Sequence, residues 1–297
     1  MTMKTGNVKH RLLYDGFVVE IEDRIDLLLQ NSAAMEELKE LWQQAPVMVF
    51  RRQCMHESEQ VQLSAFFGSC ESANRKDIKS PYFDEIIYFS TLRYADGSFI
   101  GGFAGGEDVD WHSDQTFRER PATGAMLYGV EVPKDGGDIY WANQYAAWEA
   151  LSEEIKEKID GKMGVYKYEK RLAILNPLEL QDKNSEQFKA MASLPDAHHP
   201  VVLEHPVTGR KALYADPTTL VAVEGLSEEE NARVLPILFE TGGREEFVYR
   251  HKCSNGDVIM WDNGCTMHSR DEMRLNQPRL MKRTTFRLPN NAYCSPH

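Results

Sequence analysis

Short apolar segments recur along the whole chain, and turn residues separate most of them. Clear examples are residues 17–21, 47–50, 86–92, 125–130, 139–141, 258–262 and 280–288. Segments of this length, bounded by Gly, Pro, Asn or Asp, are typical of β-strands. Strands at both ends of the chain favour a sandwich of two β-sheets over a parallel α/β sheet.

Helical segments lie between and around these strands. We predict helices over residues 33–44, 58–67, 144–159 and 228–240, with a break in the third near Ser152. Ser32 and Ser58 are the expected N-caps of the first two, and Ser227 with Glu230 has the pattern of a capping box. The sequence therefore predicts a mixed α/β, mainly β protein, a double-stranded β-helix (jelly roll, cupin-like) with flanking helices.

The length and the hydrophobic content bound the domain organisation. The chain has 297 residues and is 42% hydrophobic, which is enough for a sizeable core. We expect one domain over residues 1–297, with an inserted polar excursion at about 178–200 that includes a helix at 185–192. The glycine-rich residues 101–108 are equally compatible with a mobile flap near a functional site and with a plain surface loop.

The net charge limits the classes of binding partner that we expect, and the cysteine content indicates the cellular compartment. A net charge of −12 argues against nucleic acid or an anionic membrane surface as the main partner. The five cysteines are odd in number and form no C-x-x-C pair, so we expect reduced thiols and a cytoplasmic location. No apolar run is long enough for a membrane span. The sequence is compatible with both a monomer and a homo-oligomer.

His112 and Asp114 lie two positions apart in a stretch rich in β-forming residues. In an extended strand, residues i and i+2 point to the same side, so the two side chains can reach one object together. A nitrogen donor beside an oxygen donor suggests a metal ion. The spacing alone is a weak signal, because histidine and aspartate often meet by chance.

A third ligand candidate, His268, follows the segment Trp261-Asp262-Asn263 in the second half of the chain. Two imidazoles and one carboxylate form the ligand set of non-haem Fe(II) oxygenases. Three protein ligands leave three positions of an octahedral ion open, which is what a bidentate 2-oxo acid and O2 together require. His112, Asp114 and His268 are therefore the candidate catalytic and metal-binding residues.

Arginines follow His268 at regular spacing. Arg279, Arg283 and Arg287 are separated by four positions, so in a strand they share one face. A guanidinium group matches a carboxylate because its donors form a planar fork. A buried arginine without such a partner would be costly, so an anionic ligand is expected nearby.

Together these motifs resemble the taurine dioxygenase (TauD/TfdA) family of Fe(II)- and 2-oxoglutarate-dependent dioxygenases. The resemblance spans roughly residues 47–287, in order, through Trp111-His112-Ser113-Asp114, Gly136-Gly137-Asp138, Trp261-Asp262-Asn263, His268, Arg279 and Arg283. It implies a jelly roll with iron ligands at His112, Asp114 and His268. It also implies that Arg279 holds the distal carboxylate of 2-oxoglutarate, and that Arg283 contacts the substrate's acidic group or the keto-acid end.

One position departs from the family pattern. Many members place a threonine directly after the Gly-Gly-Asp turn, where its hydroxyl assists the same distal carboxylate, whereas this chain has Ile139. Either Arg279 holds the carboxylate without this hydroxyl, or Tyr140 or a water replaces it.

The resemblance implies oxidation of a C–H bond, by default hydroxylation, with release of succinate and CO2. The expected cofactors are Fe(II), 2-oxoglutarate and O2, and the expected substrate is a small, anionic metabolite. Two other classes stay open on the residues alone. One is a non-catalytic metal-binding jelly roll, and the other is a zinc-dependent hydrolase, because His-x-Asp with a distant His also suits Zn²⁺.

Overall fold

The computed structural model describes residues 8–73, 78–98, 100–103, 109–174, 189–190, 193–274 and 276–296. The strands within these residues are β1 His10–Leu13, β2 Val18–Ile21, β3 Val47–Phe50, β4 Ser69–Cys70, β5 Ile86–Ser90, β6 Gly102–Phe103, β7 Val109–His112, β8 Gly124–Glu131, β9 Ile139–Asn143, β10 Met163–Tyr166, β11 Ala197–Pro200, β12 Val202–Glu204, β13 Lys211–Leu213, β14 Leu220–Val223, β15 Val248–His251, β16 Val258–Asp262, β17 Thr266–Arg270 and β18 Leu280–Arg287. The α-helices are α1 Ile25–Leu28, α2 Ser32–Gln44, α3 Glu57–Phe67, α4 Gln144–Ala150, α5 Glu153–Ile159, α6 Tyr168–Ile174 and α7 Glu228–Gly242.

Two sheets form the jelly roll. The larger sheet has the order β1-β2-β3-β16-β8-β18-β5-β6, with β4 also paired to β18. The smaller sheet has the order β15-β9-β17-β7, and all of its pairs are antiparallel. Two further small sheets, β11-β10-β14 and β12-β13, flank them. The predicted double-stranded β-helix with flanking helices is confirmed.

The larger sheet buries both faces, and β3 shows how its sequence permits this. Val47 and Val49 pack in the cluster that includes Ile139 and Trp141 of the smaller sheet. Met48 and Phe50 instead join the cluster under α2 and α3. Because successive side chains of a strand point to opposite faces, a continuous apolar run suits a strand covered on both sides.

Helix starts were predicted less well than helix bodies. The N-cap of α2 is Asn31, whose Oδ1 accepts hydrogen bonds from the backbone N–H groups of the next turn, and not Ser32. The N-cap of α3 is His56 instead of Ser58. Both errors shift the boundary by one or two positions, because several polar residues compete at a helix start. The capping box of Ser227 and the break at Ser152 are confirmed.

Two predicted features are only partly described. Residues 178–188 and 191–192 of the expected excursion and its helix lie outside the described residues, while residues 197–200 form β11, which pairs with β10. Residues 104–108 of the glycine-rich stretch lie outside as well. Among the helices in the described ranges, none has the length and apolar character needed to cross a membrane.

Candidate active site

His112 and His268 are cross-strand neighbours in the smaller sheet. His112 ends β7, and His268 lies opposite it in the middle of β17. Their ring centroids are 4.2 Å apart, and both side chains are buried. Antiparallel pairing therefore brings together two residues that are far apart in the sequence.

Asp114 reaches the histidines from a turn and not from a strand. β7 ends at His112, so the expectation of an extended strand through Asp114 is wrong, although the two side chains still converge. The Oγ of Ser113 donates a hydrogen bond to the carbonyl of Thr266 at 2.8 Å, which ties the turn to β17. Gln115 adopts a φ of 59°, a left-handed conformation rare for a residue with a side chain, and this reverses the chain just after Asp114.

The three side chains fit a metal ion. Oδ1 of Asp114 lies 4.0 Å from Nε2 of His112 and 3.8 Å from Nε2 of His268, too far for hydrogen bonds. Two donors that each bind one ion at about 2.1 Å lie roughly 3–4 Å apart. Nδ1 of His112 faces the carbonyl of Asp110 at 2.8 Å, which directs Nε2 towards the site.

Electrostatics keep this ligand set in the right protonation state. Burial lowers the pKa of His112 to about 3 and that of His268 to about 4, so both imidazoles are neutral at pH 7. Burial alone would raise the pKa of Asp114, but its interactions with Arg283 and with the two histidines together outweigh burial and hold that pKa well below its usual range. Neutral imidazoles and an ionised carboxylate are the forms that bind metals.

Arg283 touches the site more closely than the sequence suggested. Its guanidinium group forms an ion pair with Oδ2 of Asp114, the oxygen that does not face the histidines. Nδ2 of Asn263 donates to the same oxygen at 3.3 Å, and Nε1 of Trp261 donates to Oδ1 of Asn263 at 2.9 Å. These contacts orient Asp114 from behind, as outer partners of metal ligands commonly do.

Arg279 is buried between the two sheets, with 5% of its surface exposed. No carboxylate of the described residues forms an ion pair with it. Burial, followed by the charge of Arg270, lowers the pKa of Arg279 to about 10, so the group is still charged at pH 7. Arg287, which the four-residue spacing grouped with it, instead pairs with Glu71 outside the pocket.

Tyr140, the neighbour of Ile139, does not replace the threonine hydroxyl that many family members carry at position 139. Ile139 lines the pocket. Tyr140 points to the other side of β9, where its hydroxyl donates to Oδ2 of Asp271 at 2.8 Å, and it is not part of the pocket lining. Tyr140 as a substitute for the missing threonine is therefore wrong.

A cavity of about 240 Å³ opens between the sheets at these residues. Among the residues that the structure describes, its ionisable lining besides the two histidines is one carboxylate and four guanidinium groups: Asp114, Arg171, Arg270, Arg279 and Arg283. The interior is thus locally basic in a protein of net charge −12.

Sequence reasoning did not assign two of these arginines. Arg270 lies two positions after His268, so strand alternation could have placed it on the same face. Arg171 lies on α6, which was not predicted, and its Nη1 donates to the hydroxyl of Thr218 at 3.1 Å. No local pattern connects Arg171 with the ligand residues.

Another residue that sequence reasoning missed is Asp216, which is buried and contacts the turn that carries Asp114. Its Oδ2 accepts from the hydroxyl of Thr116 at 2.7 Å, and its Oδ1 accepts from that of Thr218 at the same distance. Asp216 thereby joins the turn after Asp114 to the hydroxyl that holds Arg171.

A jelly roll that brings two neutral histidines and one carboxylate together beside a buried, carboxylate-free arginine has the arrangement of a 2-oxoglutarate-dependent non-haem iron dioxygenase. The family model described as "Taurine catabolism dioxygenase TauD, TfdA family" matches residues 13–285, and the chain belongs to this family. The resemblance drawn from the motifs is confirmed.

Known proteins similar to the chain agree with this class. The alpha-ketoglutarate-dependent 2,4-dichlorophenoxyacetate dioxygenase of Cupriavidus pinatubonensis (strain JMP 134 / LMG 1197) is 30% identical over 285 residues, covering 92% of this chain and 95% of that protein. The alpha-ketoglutarate-dependent sulfate ester dioxygenase of Pseudomonas putida is 30% identical over 208 residues, 68% of each chain. The crystal structure of AAD-2 with Mn(II) and N-oxalylglycine has a TM-score of 0.75 at 26% identity, covering 95% of this chain and 98% of that one.

The chain is accordingly an enzyme, a dioxygenase that uses Fe(II), 2-oxoglutarate and O2 to oxidise a small molecule. The comparisons support this reading over a non-catalytic metal-binding protein or a zinc-dependent hydrolase.

Proposed function

We propose that the chain works as one dioxygenase domain in which His112, Asp114 and His268 hold the Fe(II). The observation that carries this assignment is the convergence of both Nε2 atoms on Oδ1 of Asp114, at 3.8 and 4.0 Å. When bound, Fe(II) and 2-oxoglutarate supply the oxidation of a C–H bond, with release of succinate and CO2. The ligand residues fix the ion on one side and leave the cavity side open to both substrates.

Arg279 is the proposed partner of the distal carboxylate of 2-oxoglutarate. It is nearly fully buried, charged, and without an ion pair among the described residues. A buried guanidinium group in this state is stabilised by an anion that brings two parallel acceptors. The keto-acid end of the same molecule then extends towards the open side of the metal ligands.

The substrate is proposed to be a small organic anion, and hydroxylation is the proposed outcome. Among the described residues, the cavity lining carries more guanidinium groups than carboxylates, which favours an anionic substrate beside 2-oxoglutarate. Arg283 is the proposed contact for the substrate's acidic group or for the keto-acid end, because it lines the cavity beside Asp114. Relatives named for a phenoxyacetate and for sulfate esters make such anions the first compounds to test.

We also propose a cytoplasmic location. All five cysteines are free thiols, and three of them are buried. Reduced thiols are the usual state in a reducing compartment.

A turnover screen tests the proposal. Wild-type protein with Fe(II) and 2-oxoglutarate would be given phenoxyacetates, alkyl sulfates and other small acids, each beside its uncharged methyl ester or alcohol. Succinate release should rise with an acid, not with its neutral counterpart, and should require O2. Product formation without O2 would favour the hydrolase, and metal binding without any use of 2-oxoglutarate would favour the non-catalytic protein.

A further inference from the structure

Ile139 and Arg270 lie directly opposite each other on β9 and β17. Both line the cavity, and Arg270 lies on the same strand face as His268, two residues earlier. Side chains directly opposite in an antiparallel pair have Cβ atoms roughly 5 Å apart. The position where many family members carry a threonine hydroxyl therefore has a guanidinium group as its cross-strand neighbour.

Arg279 lines the same cavity. Its pKa is lowered first by burial and then by the charge of Arg270, so the two cations act on each other. Cys253 interacts with both Arg279 and the backbone of Ile139. Burial raises the pKa of its thiol to about 12, while the charge of Arg279 and a hydrogen bond from the backbone of Ile139 act in the opposite direction.

Two guanidinium groups that line one cavity, one of them nearly fully buried, repel each other, and an anion bound by both lowers that cost. One carboxylate can serve both, because its two oxygens offer about four acceptor positions. Nη1 of Arg270 donates to the carbonyl of Asp271 at 2.7 Å, which holds the group near the end of β17.

We propose that Arg270 and Arg279 together bind the distal carboxylate of 2-oxoglutarate, and that Arg270 takes the place of the hydroxyl missing at Ile139. The inference rests on the proposed function, in which Arg279 holds this carboxylate. A charged donor from the neighbouring strand then replaces a neutral donor at position 139, and charge-assisted hydrogen bonds are the stronger kind.

The first test is binding of 2-oxoglutarate without turnover. Protein loaded with Mn(II) in the absence of O2 would be titrated with 2-oxoglutarate by calorimetry. Arg270→Met should raise the dissociation constant roughly 10- to 150-fold, the range expected for lost hydrogen bonds to a charged group. Arg270→Lys keeps the charge and should lose less.

Arg274→Met is the matched control. Arg274 is exposed four residues further on, and its replacement makes the same change in net charge. It should leave the affinity for 2-oxoglutarate unchanged. The affinity for Mn(II) should be the same in all of these variants, which shows that the metal site is intact in each of them.

Restoring the hydroxyl tests the substitution itself. In the wild-type background, Ile139→Thr should tighten 2-oxoglutarate binding only slightly, because Arg270 already binds the distal carboxylate. In the Arg270→Met background, the same change should tighten binding much more. Equal effects in both backgrounds would show that Arg270 does not replace the hydroxyl.

Wild-type affinity in Arg270→Met would overturn the inference. That failure is distinct from failure of the proposed function, because Arg279→Ala would still weaken 2-oxoglutarate binding. If Arg279→Ala also binds like wild type, the proposed co-substrate site itself is wrong.

Discussion

Asp114 divides its two carboxylate oxygens between two tasks. Oδ1 faces the ring nitrogens of both histidines, whereas Oδ2 accepts from Arg283 and Asn263. The outer contacts keep the group ionised and restrict its rotation, so Oδ1 stays directed towards the two histidines. The candidate metal site is therefore preorganised by residues outside the three proposed ligands.

Replacing His112, Asp114 or His268 by Ala should abolish turnover and weaken Fe(II) and Mn(II) binding. The fold should persist, because these side chains face the cavity and not the packed layers under α2 and α3. Metal affinity, succinate release and circular dichroism are the measurements. His198→Ala, at an exposed histidine, is the control, and near-normal turnover in the three ligand variants would refute the assignment.

Arg279→Ala should leave metal binding largely intact and raise the requirement for 2-oxoglutarate. Losing one member of a desolvated charge pair costs about 2–5 kcal/mol, roughly 30- to 5,000-fold in affinity. The apparent KM for 2-oxoglutarate and its dissociation constant are the measurements. Arg233→Ala, which removes an exposed guanidinium group on α7, should change neither. An unchanged KM in Arg279→Ala would remove this residue from the site.

Arg283→Leu should affect the primary substrate more than 2-oxoglutarate. The change removes a cavity-facing charge beside Asp114 while Arg279 stays in place. We expect a higher KM for an anionic substrate, or O2 consumption that no longer matches product formation. Arg283→Lys keeps the charge and should behave closer to wild type. Equal turnover of a neutral substrate by wild type and Arg283→Leu would contradict the role.

At the scale of elements, the pairing of β17 decides where the site forms. β17 lies between β7 and β9, so it sets His268 against His112 and Arg270 against Ile139. The turn between β16 and β17 starts this register, and the C-terminal segment packs against it. A Cβ added to Gly264 in this turn would come within 1.9 Å of the carbonyl oxygen of Cys294.

Gly264→Ala should therefore destabilise the protein by about 1–3 kcal/mol, as overpacking of a tight site usually does. The obstructing atom is backbone, so relief requires the C-terminal segment or the turn to move. Gly243→Ala is the matched control, because the nearest atoms to its added Cβ would be side-chain atoms of Trp111, at 3.1 and 3.2 Å, with the Phe239 carbonyl oxygen at an ordinary 3.8 Å. Free energies of unfolding from denaturant titrations compare the two, and an equal or smaller loss in Gly264→Ala would contradict this reading.

At the scale of the whole molecule, one buried carboxylate links stability to pH. Asp262 ends β16, is 2% exposed, and accepts from the backbone N–H of Gly264 at 2.8 Å. Burial raises its pKa from 3.8 to about 8, because the charged form loses its hydration. Between these pH values the folded protein keeps a proton that the unfolded chain releases.

The sign of the effect follows from that proton. Stability from Asp262 is fully present below about pH 4 and falls as the pH rises towards 8, by up to about 1.4 kcal/mol per pH unit. Asp262→Asn cannot ionise and can still accept the hydrogen bond of Gly264, so its unfolding free energy should decline less over this window. Asp135→Asn, at an exposed carboxylate, should keep the wild-type slope. Parallel curves for wild type and Asp262→Asn would refute the assignment.

Local sequence patterns predicted much of the fold and the convergence of the candidate metal ligands. Short apolar runs and turn residues located β3, β8 and β16, and the Ser227 capping box located α7, because these signals act between near neighbours. The motifs around His112, Asp114 and His268 predicted that the three would converge. Their spacing did not show that Asp114 lies in a turn, since strand ends depend on pairing partners.

What only the tertiary structure decided is the surroundings of these residues. The pairing of Arg283 with Asp114, the position of Arg171 beside the cavity and the register that sets Arg270 opposite Ile139 join segments that share no sequence pattern. The physical reason is that a short-range pattern determines which way a side chain points. The packing of two sheets determines which charges then face one another, and therefore where an anion can bind.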